Sequence, residues 1–200
     1  MKKNNKNNLS KFKQILDLIS EAGMLKRVVR SGWTVLGVPN PESVAEHSFR
    51  CAVIGYCLAK TEGADPYKVL MMALFGDIQE SRTSDLHKMA QRYLDAQEFE
   101  DRAYCEQIRS LPAAIKDELF FMRENYRSQK SKESIIARDA DILECLIQAR
   151  EYYEQGHKQA VKFTKKAPNF LKTKSAIKLW KLAKISDLNI WWLKLSDFRR

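Results

Sequence analysis

Residues 41–60 read PESVAEHSFRCAVIGYCLAK, a run that contains a helix start, an apolar helix interior and one histidine. An asparagine followed by Pro41 suits a helix N-terminus, because proline is tolerated at the first helical position. Ser43 and Glu46 have the spacing of a capping box, in which each side chain bonds the other residue's backbone N–H group. We therefore predict a helix over this run, with His47 close to its start.

The rest of the chain shows the same helical signature. Asp65 followed by Pro66 repeats the start signal, and segments that alternate with period two are few. The predicted helices cover residues 9–25, 41–60, 65–80, 90–109, 112–127, 132–155, 169–185 and 187–197. Loops are expected at about 26–40 and 81–89, where glycine, proline and polar residues collect. The pattern predicts an all-α fold, a helical bundle.

Length and composition limit the class of protein. Two hundred residues suit one domain, and 44% hydrophobic residues with only 7 Gly and 5 Pro exclude a disordered or fibrous chain. The longest apolar runs, Cys51–Ala59 and Val69–Phe75, are far shorter than the roughly 20 residues that a membrane span needs. The start MKKNNKNN has no apolar segment behind it, so we expect no secretory signal. The four cysteines show no C-x-x-C spacing, so we expect a cytoplasmic protein with reduced thiols.

The net charge of +10 comes from one end of the chain. Residues 158–200 contain 12 Lys and Arg residues against two Asp residues, whereas residues 1–157 balance to zero. We therefore divide the chain into a flexible Asn- and Lys-rich leader (1–8), a helical domain (9–157) and a basic helical extension (158–200).

The basic extension contains three of the four tryptophans, Trp180, Trp191 and Trp192. We expect its helices to pack on the domain or on a partner, with lysine stems covering apolar surface. A basic surface that attracts nucleic acid or anionic lipid is the second interpretation, although no nucleic-acid-binding motif is present. A general attraction of anionic substrates is a third interpretation, and the residues alone leave all three open.

Several polar residues lie inside apolar helical stretches, where burial without a partner would cost free energy. His47 precedes one apolar run, and Asp77 interrupts the next, with Glu80 three residues later on the same predicted helix face. Asp141 stands between apolar residues of a third helix. An imidazole and carboxylates from separate helices can converge on a divalent cation inside a bundle. Each residue also has an ordinary explanation, as a satisfied core histidine, a capped or salt-bridged acid, or a polar helix start.

Three motifs in the same order resemble those of the HD-domain phosphohydrolases. They are ESVAEHS at residues 42–48, ALFGDIQESRTSDL at 73–86 and ARDAD at 137–141. Within that family, the chain most resembles the branch that contains the YfbR-like 5′-deoxynucleotidases and the oxetanocin-type phosphohydrolases. The segment LKRVVRSGW at residues 25–33 also fits that branch. The resemblance covers about residues 9–156 and implies an HD-domain helical bundle.

The resemblance implies a divalent metal ion, such as Co²⁺, Mn²⁺ or Mg²⁺, held by His47, Asp77 and Asp141. The family has a histidine directly before the second of these ligands, and this chain has Gly76 there. A missing ligand should weaken the site, since loss of even an outer partner lowers metal affinity or activity about 10–100-fold. Three outcomes stay open: weak metal binding, no metal, or replacement by another residue, for which His87 is the nearby histidine.

The same resemblance assigns the catalytic chemistry to Glu80 and Asp77. Glu80 matches the family's acid, which assists the attack of water on phosphorus and can take or return a proton. A bound cation would neutralise the phosphate and lower the pKa of its water. A carboxylate beside a cation keeps a low pKa, so we expect the liganding aspartates to stay ionised.

Substrate binding is implied for four further residues. Arg27, Arg30 and Trp33 lie where similar proteins hold the phosphate and the nucleoside. Guanidinium groups match the geometry of phosphate oxygens, which makes both arginines plausible clamps. Asp85 matches the family's sugar-contacting aspartate, with Ser84 in place of the glycine that precedes it.

The function that this resemblance implies is the metal-dependent release of phosphate from nucleoside 5′-monophosphates, as in deoxynucleotidases, or from related phosphomonoesters. We expect Gly76 to impair it. The alternative is a non-catalytic HD-fold protein that binds or regulates after the loss of its metal site. Similar proteins are often dimers, so we expect a homodimer whose small-molecule partner is a nucleotide or phosphomonoester, and no transmembrane segment.

Overall fold

The computed structural model describes residues 2–193 and residue 195, with side chains from residue 9 onward. Within these residues the structure contains helices and no strand, apart from a single bridge between Val29 and Ser43. The α-helices are α1 (Lys2–Met24), α2 (Ser31–Val35), α3 (Val44–Glu62), α4 (Pro66–Phe75), α5 (Glu80–Thr83), α6 (Ala96–Ile108), α7 (Ala113–Ser128), α8 (Lys132–Glu154), α9 (Lys174–Ile185) and α10 (Ile190–Leu193). Short 3₁₀-helices cover Ala90–Arg92, Lys158–Lys165 and Ala167–Phe170. The predicted all-α fold is confirmed.

Capping side chains define the starts of α3 and α4. The hydroxyl of Ser43 accepts from the backbone N–H of Glu46, whose carboxylate accepts in turn from the backbone N–H of Ser43. α3 therefore begins after this capping box and not at Pro41. The side chain of Asp65 accepts from two backbone N–H groups in the first turn of α4. Both start signals were readable from the sequence because capping acts over three or four residues.

The helix expected over residues 65–80 is interrupted, and the prediction of one continuous element was wrong. α4 ends one residue before Gly76, and a turn separates it from α5. Glycine disfavours a helix interior by about 1 kcal/mol relative to alanine. In addition, Arg123 of α7 donates to the carbonyl oxygen of Gly76 at 2.8 Å and satisfies an orphan helix-end acceptor. Asp77 consequently lies in a turn and not on a helix face shared with Glu80.

The main core lies where α3, α4 and α8 meet. Leu58 of α3, Val69 of α4 and Ile136 of α8 are fully shielded from solvent. Leu143 and Leu146, from the middle of α8, are buried in the same cluster. Because α8 packs against both α3 and α4, polar side chains of its middle turns reach the beginning of α3 and the end of α4.

Much of the basic extension packs on the bundle. α9 buries Ala176 and Trp180 in the main core, and Phe163 packs on Trp33 with a ring-centroid distance of 4.6 Å. The lysines of α9 stay exposed. The helix predicted over residues 187–197 is described only as far as residue 193 and at residue 195, and its remaining positions lie outside the described residues.

The first helix includes residues 2–8, where we expected a flexible leader. No Gly or Pro lies between Lys2 and Ala22, so the backbone contains no residue that would end the helix earlier. α1 exposes an apolar stripe formed by Leu9, Phe12, Leu16 and Ile19. In the described part of the chain, no helix combines the length and the apolar character that crossing a bilayer requires.

Candidate functional site

Three elements bring His47, Asp77 and Asp141 together. His47 stands in the first turns of α3, Asp77 in the turn after α4, and Asp141 in the middle of α8. The Nε2 atom of His47 lies 3.2 Å from Asp141 Oδ1 and 3.7 Å from Asp77 Oδ2. Two carboxylates thus approach the same imidazole nitrogen.

The opposite nitrogen of His47 is held by a buried carboxylate. Its Nδ1 atom lies 2.5 Å from Oε2 of Glu144, which is fully buried. Arg50 donates to the other oxygen of Glu144 at 2.9 Å and also bonds Glu151. Once Nε2 gives up its proton, the remaining proton on Nδ1 would be directed at Glu144, which is the usual arrangement of a histidine that binds a metal.

Sequence reasoning missed Glu144 and Arg50, although their spacing contains a signal. Glu144 follows Asp141 by three residues on α8, and Arg50 follows His47 by three residues on α3. Residues three apart share a helix face. Glu144 and Arg50 each lie about one helical turn after a candidate ligand. This spacing was the signal that the two could form an ion pair close to those ligands.

The charges around His47 decide which groups of the cluster are ionised. Burial opposes protonation of His47, but the Cys51 sulfur and the Asp141 carboxylate outweigh it, so its pKa lies well above the ordinary value. Burial also opposes ionisation of Asp141, yet its hydrogen bond to His47 and the charge of Arg138 hold its pKa well below the usual range. The pKa of Glu144 is likewise lowered, against burial, by its hydrogen bond to His47. Both carboxylates are therefore anionic at neutral pH.

Arg30 connects the acidic residues of the site. Its Nη1 atom lies 3.7 Å from Asp77 Oδ2 and 3.4 Å from Asp85 Oδ1, and its Nη2 donates to the sulfur of Cys145 at 3.5 Å. Asp85 also accepts from the backbone N–H of Ser31 at 2.5 Å and from the Ser31 hydroxyl at 3.1 Å. These bonds fix the segment after α5 to the start of α2. They also hold a guanidinium group beside the His47 cluster, a position suited to phosphate.

Glu80 is buried close to Asp77 and Asp85. It is 7% exposed, and its Oε2 atom has no hydrogen-bond partner among the described residues. Burial, and after it the negative charges of Asp77 and Asp85, raise the pKa of Glu80 to about 10. Glu80 therefore carries a proton at neutral pH, the state in which a carboxyl group can act as an acid.

Among the described residues, Arg27 and Trp33 form no hydrogen bond or ion pair with His47, Asp77 or Asp141. Arg27 is exposed and makes no ion pair with the residues that the structure describes. Trp33 is 2% exposed, its Nε1 donates to Glu42 at 2.9 Å, and its ring packs edge-on against Tyr152. The indole is part of a small core, so its faces are not available to a nucleoside.

The position of Gly76 supplies no ligand. A Cβ atom there would lie 2.8 Å from the carbonyl oxygen of Met72, so the backbone occupies the space where a side chain would begin. His87 does not replace the missing ligand. It lies in the segment after α5, and its Nδ1 accepts from the backbone N–H of Ala90 at 3.1 Å.

The remaining donor atoms fit a divalent cation. His47 offers Nε2 with its other nitrogen already bonded, and Asp77 and Asp141 offer carboxylate oxygens. The sulfur of Cys145 lies within 4.8 Å of the donor atoms of His47 and Asp141. Imidazole and carboxylate donors are the ligands that divalent transition-metal ions accept, and they come here from three separate elements.

Comparison with known proteins identifies the family. A family model described as HD domain matches residues 22–180, and the chain belongs to the HD-domain family. The 5′-deoxynucleotidase HDDC2 of Dictyostelium discoideum is 32% identical over 151 residues, which cover 71% of this chain and 79% of that protein. The protein of the same name from Homo sapiens is 29% identical and covers 73% of this chain and 72% of its own length. The 5′-deoxynucleotidase YGK1 of Saccharomyces cerevisiae is 28% identical over 181 residues, which cover 87% of this chain and 83% of that protein.

Solved structures share the fold. A conserved hypothetical protein from Pyrococcus furiosus superposes with a TM-score of 0.71 at 34% identity, covering 84% of this chain and 96% of that chain. A protein from Magnetospirillum magnetotacticum, described as a predicted metal-dependent phosphohydrolase, has a TM-score of 0.68 at 20% identity and covers 88% of this chain and 91% of that chain. At that identity the second likeness supports the fold alone. The family resemblance seen in the motifs is confirmed, and the match extends into α9.

Proposed function

We propose that this protein is a metal-dependent phosphohydrolase that releases phosphate from deoxynucleoside 5′-monophosphates or related phosphomonoesters. The proposal depends above all on the approach of Asp77 and Asp141 to one nitrogen of His47, with Arg30 beside them. Relatives that are named 5′-deoxynucleotidases and match most of the chain support the substrate class.

His47, Asp77 and Asp141 would hold the divalent cation. When bound, such a cation neutralises phosphate charge and lowers the pKa of its bound water. Glu144 would keep Nε2 of His47 directed at the cation, and Arg50 balances the charge of Glu144. Co²⁺, Mn²⁺ and Mg²⁺ are the candidate ions, and the weakened affinity caused by Gly76 is part of the proposal.

Arg30 would bind the phosphate, and Asp85 would position the sugar. The ion pairs of Arg30 with aspartates, at 3.4 and 3.7 Å, are long, so a phosphate dianion can replace them with charge-assisted hydrogen bonds. Ser31 occupies one oxygen of Asp85, whereas the other contacts only Arg30 among the described residues. That second oxygen is free to accept from a sugar hydroxyl once Arg30 turns to the phosphate.

Glu80 would supply the proton that the leaving group needs. As the bond between phosphorus and the 5′-oxygen breaks, the protonated carboxyl can donate to that oxygen and release a neutral nucleoside. Water provides the new bond to phosphorus and loses a proton, which can return Glu80 to its starting state. Asp77 contributes to this role because its charge favours the protonated form of Glu80.

Phosphate release from a panel of deoxynucleoside and ribonucleoside 5′-monophosphates tests the proposal. We expect turnover with added Co²⁺, Mn²⁺ or Mg²⁺ and none after chelation. Asp77→Asn and Asp141→Asn should lose more activity than the about 10–100-fold typical of an outer partner. Arg102→Gln, on an exposed face of α6, should leave the rate unchanged. Failure to release phosphate with each cation would refute the enzymatic function.

A non-catalytic nucleotide-binding protein is the second candidate, and the absence of a side chain at Gly76 favours it. Such a protein would keep Arg30 and Asp85 as binding residues but would not depend on a cation. Calorimetric titration with a deoxynucleoside monophosphate distinguishes the two. Binding that survives chelation and is not followed by phosphate release supports the second candidate.

The expected homodimer and the role of the basic extension stay predictions. The exposed stripe of α1 is the apolar surface that a second copy would cover, and light scattering of the intact chain measures the mass. Trp191 and Trp192 are exposed and follow the exposed lysines of α9 in the chain, a combination that would suit nucleic acid or an anionic surface. If the affinity of the protein for nucleic acid or for an anionic surface does not change with salt concentration, the basic extension does not have this binding role. The expected cytoplasmic location stays a prediction as well.

A further inference from the structure

Cys145 stands one helical turn after Asp141 on α8, so both side chains leave the same face of the helix. Its sulfur, a ring nitrogen of His47 and a carboxylate oxygen of Asp141 all lie within 4.8 Å of one another. Donor atoms on a shared tetrahedral cation lie roughly 3–4 Å apart, given bonds of about 2.0–2.3 Å. Small side-chain movements would therefore place the three atoms around one cation.

Burial raises the pKa of the Cys145 thiol to about 11, against the charge of Arg30, so the thiol keeps its proton until a cation displaces it. Arg30 donates to the sulfur from Nη2 at 3.5 Å, so a guanidinium group stands beside the charge that a thiolate would carry. Cys145 is half-buried, whereas Cys57 and Cys105 are exposed. The thiol is thus shielded from bulk solvent by the bundle and still borders the His47 cluster.

We propose that the thiolate of Cys145 is a metal ligand, together with His47 and Asp141, and that it supplies the donor that Gly76 cannot. This inference depends on the metal-dependent function proposed above. On binding, the S–H bond breaks, a sulfur–metal bond forms, and the proton leaves to solvent. A thiolate donor selects borderline cations such as Zn²⁺ and Co²⁺ over Mg²⁺, which prefers oxygen ligands.

Cys51 also lies near His47 but is a weaker candidate. Its sulfur is 3.3 Å from Nε2, and with His47 and Glu144 it forms a second group of possible donors. Both oxygens of Glu144 are already engaged, one by His47 and the other by Arg50, so this group has no uncommitted carboxylate donor. Cys51 therefore provides a matched control thiol in the same neighbourhood.

The Co²⁺-loaded protein gives the direct test, because a Co²⁺–thiolate bond produces an intense near-ultraviolet charge-transfer band that nitrogen and oxygen ligands do not. We expect this band in the unchanged protein, in Cys51→Ala and in Cys57→Ser. Cys145→Ser and Cys145→Ala should lose it and bind Zn²⁺ about 10-fold or more weakly, with little change for Mg²⁺. A band that persists in both variants, or Co²⁺ binding without a band in the unchanged protein, would overturn the inference.

Two further measurements separate this inference from the proposed function. Calorimetry of Zn²⁺ binding in buffers of different ionisation enthalpy should count one more released proton in the unchanged protein than in Cys145→Ser. In the unchanged chain, Zn²⁺ should also protect Cys145 from iodoacetamide, as read by mass spectrometry, so this readout requires no variant to fold. Metal binding that leaves Cys145 unprotected overturns this inference alone. Failure to bind Zn²⁺, Co²⁺, Mn²⁺ and Mg²⁺ overturns the proposed function as well.

Discussion

The two sides of the site differ in how completely their polar groups are bonded. On the side formed by α3 and α8, His47, Glu144 and Arg50 are joined in one buried chain of hydrogen bonds. On the side formed by residues 76–85, a glycine stands at a ligand position, Glu80 has an unpartnered oxygen, and Ser84 adopts φ 61° and ψ 163°.

The difference shows that the groups that lower the stability of the folded protein lie in residues 76–85. The backbone of Ser84 lies in a region that is essentially limited to glycine, and a buried carboxyl without a partner lowers stability. Such costs persist when the rest of the structure outweighs them, and they cluster at functional sites. The α3–α8 side is thus held by paired charges, whereas residues 76–85 carry a strained backbone and an unpaired carboxyl oxygen, a cost that the proposed function would explain.

Removal of Glu144 should have the largest effect, because it would leave charges of Arg50 and His47 without their buried partner. We expect Glu144→Ala to lower the free energy of unfolding by about 3 kcal/mol or more. Glu151→Ala removes a partly exposed acid from the same Arg50 and should cost less than about 1 kcal/mol. Urea denaturation measures both. Equal losses in the two variants would show that the α3–α8 side is not held by this network.

Restoring a ligand to the other side should have the next largest effect. We expect Gly76→His to raise divalent-metal affinity by about 10–100-fold, the range associated with a single partner of a metal site. Gly76→Ala is the matched control, since both variants must move the new Cβ away from the Met72 carbonyl and only one adds a donor. Calorimetric titration reads the difference. If both bind metal alike, the assigned geometry at Gly76 is wrong.

Glu80 should make stability depend on pH in a defined direction. Its pKa is raised from 4.5 to about 10, so above pH 4.5 the unfolded chain releases a proton that the folded chain keeps, and stability falls as pH rises toward 10. We expect the stability of Glu80→Gln relative to the unchanged protein to rise between pH 5 and pH 8, because only the unchanged protein must keep a carboxyl group protonated in the folded state. Denaturation with a chelator present measures this. The exposed Glu98→Gln should show no such trend, and a difference that does not grow with pH would contradict the burial of a neutral Glu80.

Relief of backbone strain at Ser84 should have the smallest effect. Ser84→Gly should raise the free energy of unfolding by about 1 kcal/mol, because glycine adopts these dihedral angles without the clash of a Cβ atom. Gln129 has φ 50° and ψ 30°, a left-handed conformation that other residues tolerate better, so Gln129→Gly should gain less. A loss of stability in Ser84→Gly would show that the serine side chain contributes more than the strain costs.

Helix class and helix starts could be predicted because their causes are local. The capping box at Ser43 and the cap at Asp65 act within one turn, and both lie where the sequence placed them. The pairing of His47 with Asp77 and Asp141 followed from the family resemblance and from polar residues inside apolar runs. The domain boundary at residue 157 stays a prediction, and the family match reaches residue 180.

The tertiary structure decided what depends on residues far apart in the chain. Arg123 bonds the carbonyl oxygen of Gly76, 47 residues away in the chain, just after the end of α4, and Asp77 follows in a turn and not in the expected helix. The enclosure of Trp33 by the rings of Tyr152 and Phe163, which are distant in sequence, could not be read from its neighbours in the chain.

The sequence by itself determined an all-helical HD-domain chain and most of the residues that meet at its site, since periodicity, caps and motifs are properties of neighbouring residues. Only the tertiary structure showed that Glu144 supports His47 across 97 residues and that the Cys145 sulfur lies close to the donor atoms of His47 and Asp141. Hydrogen bonds and donor distances between helices depend on packing, which no local pattern specifies.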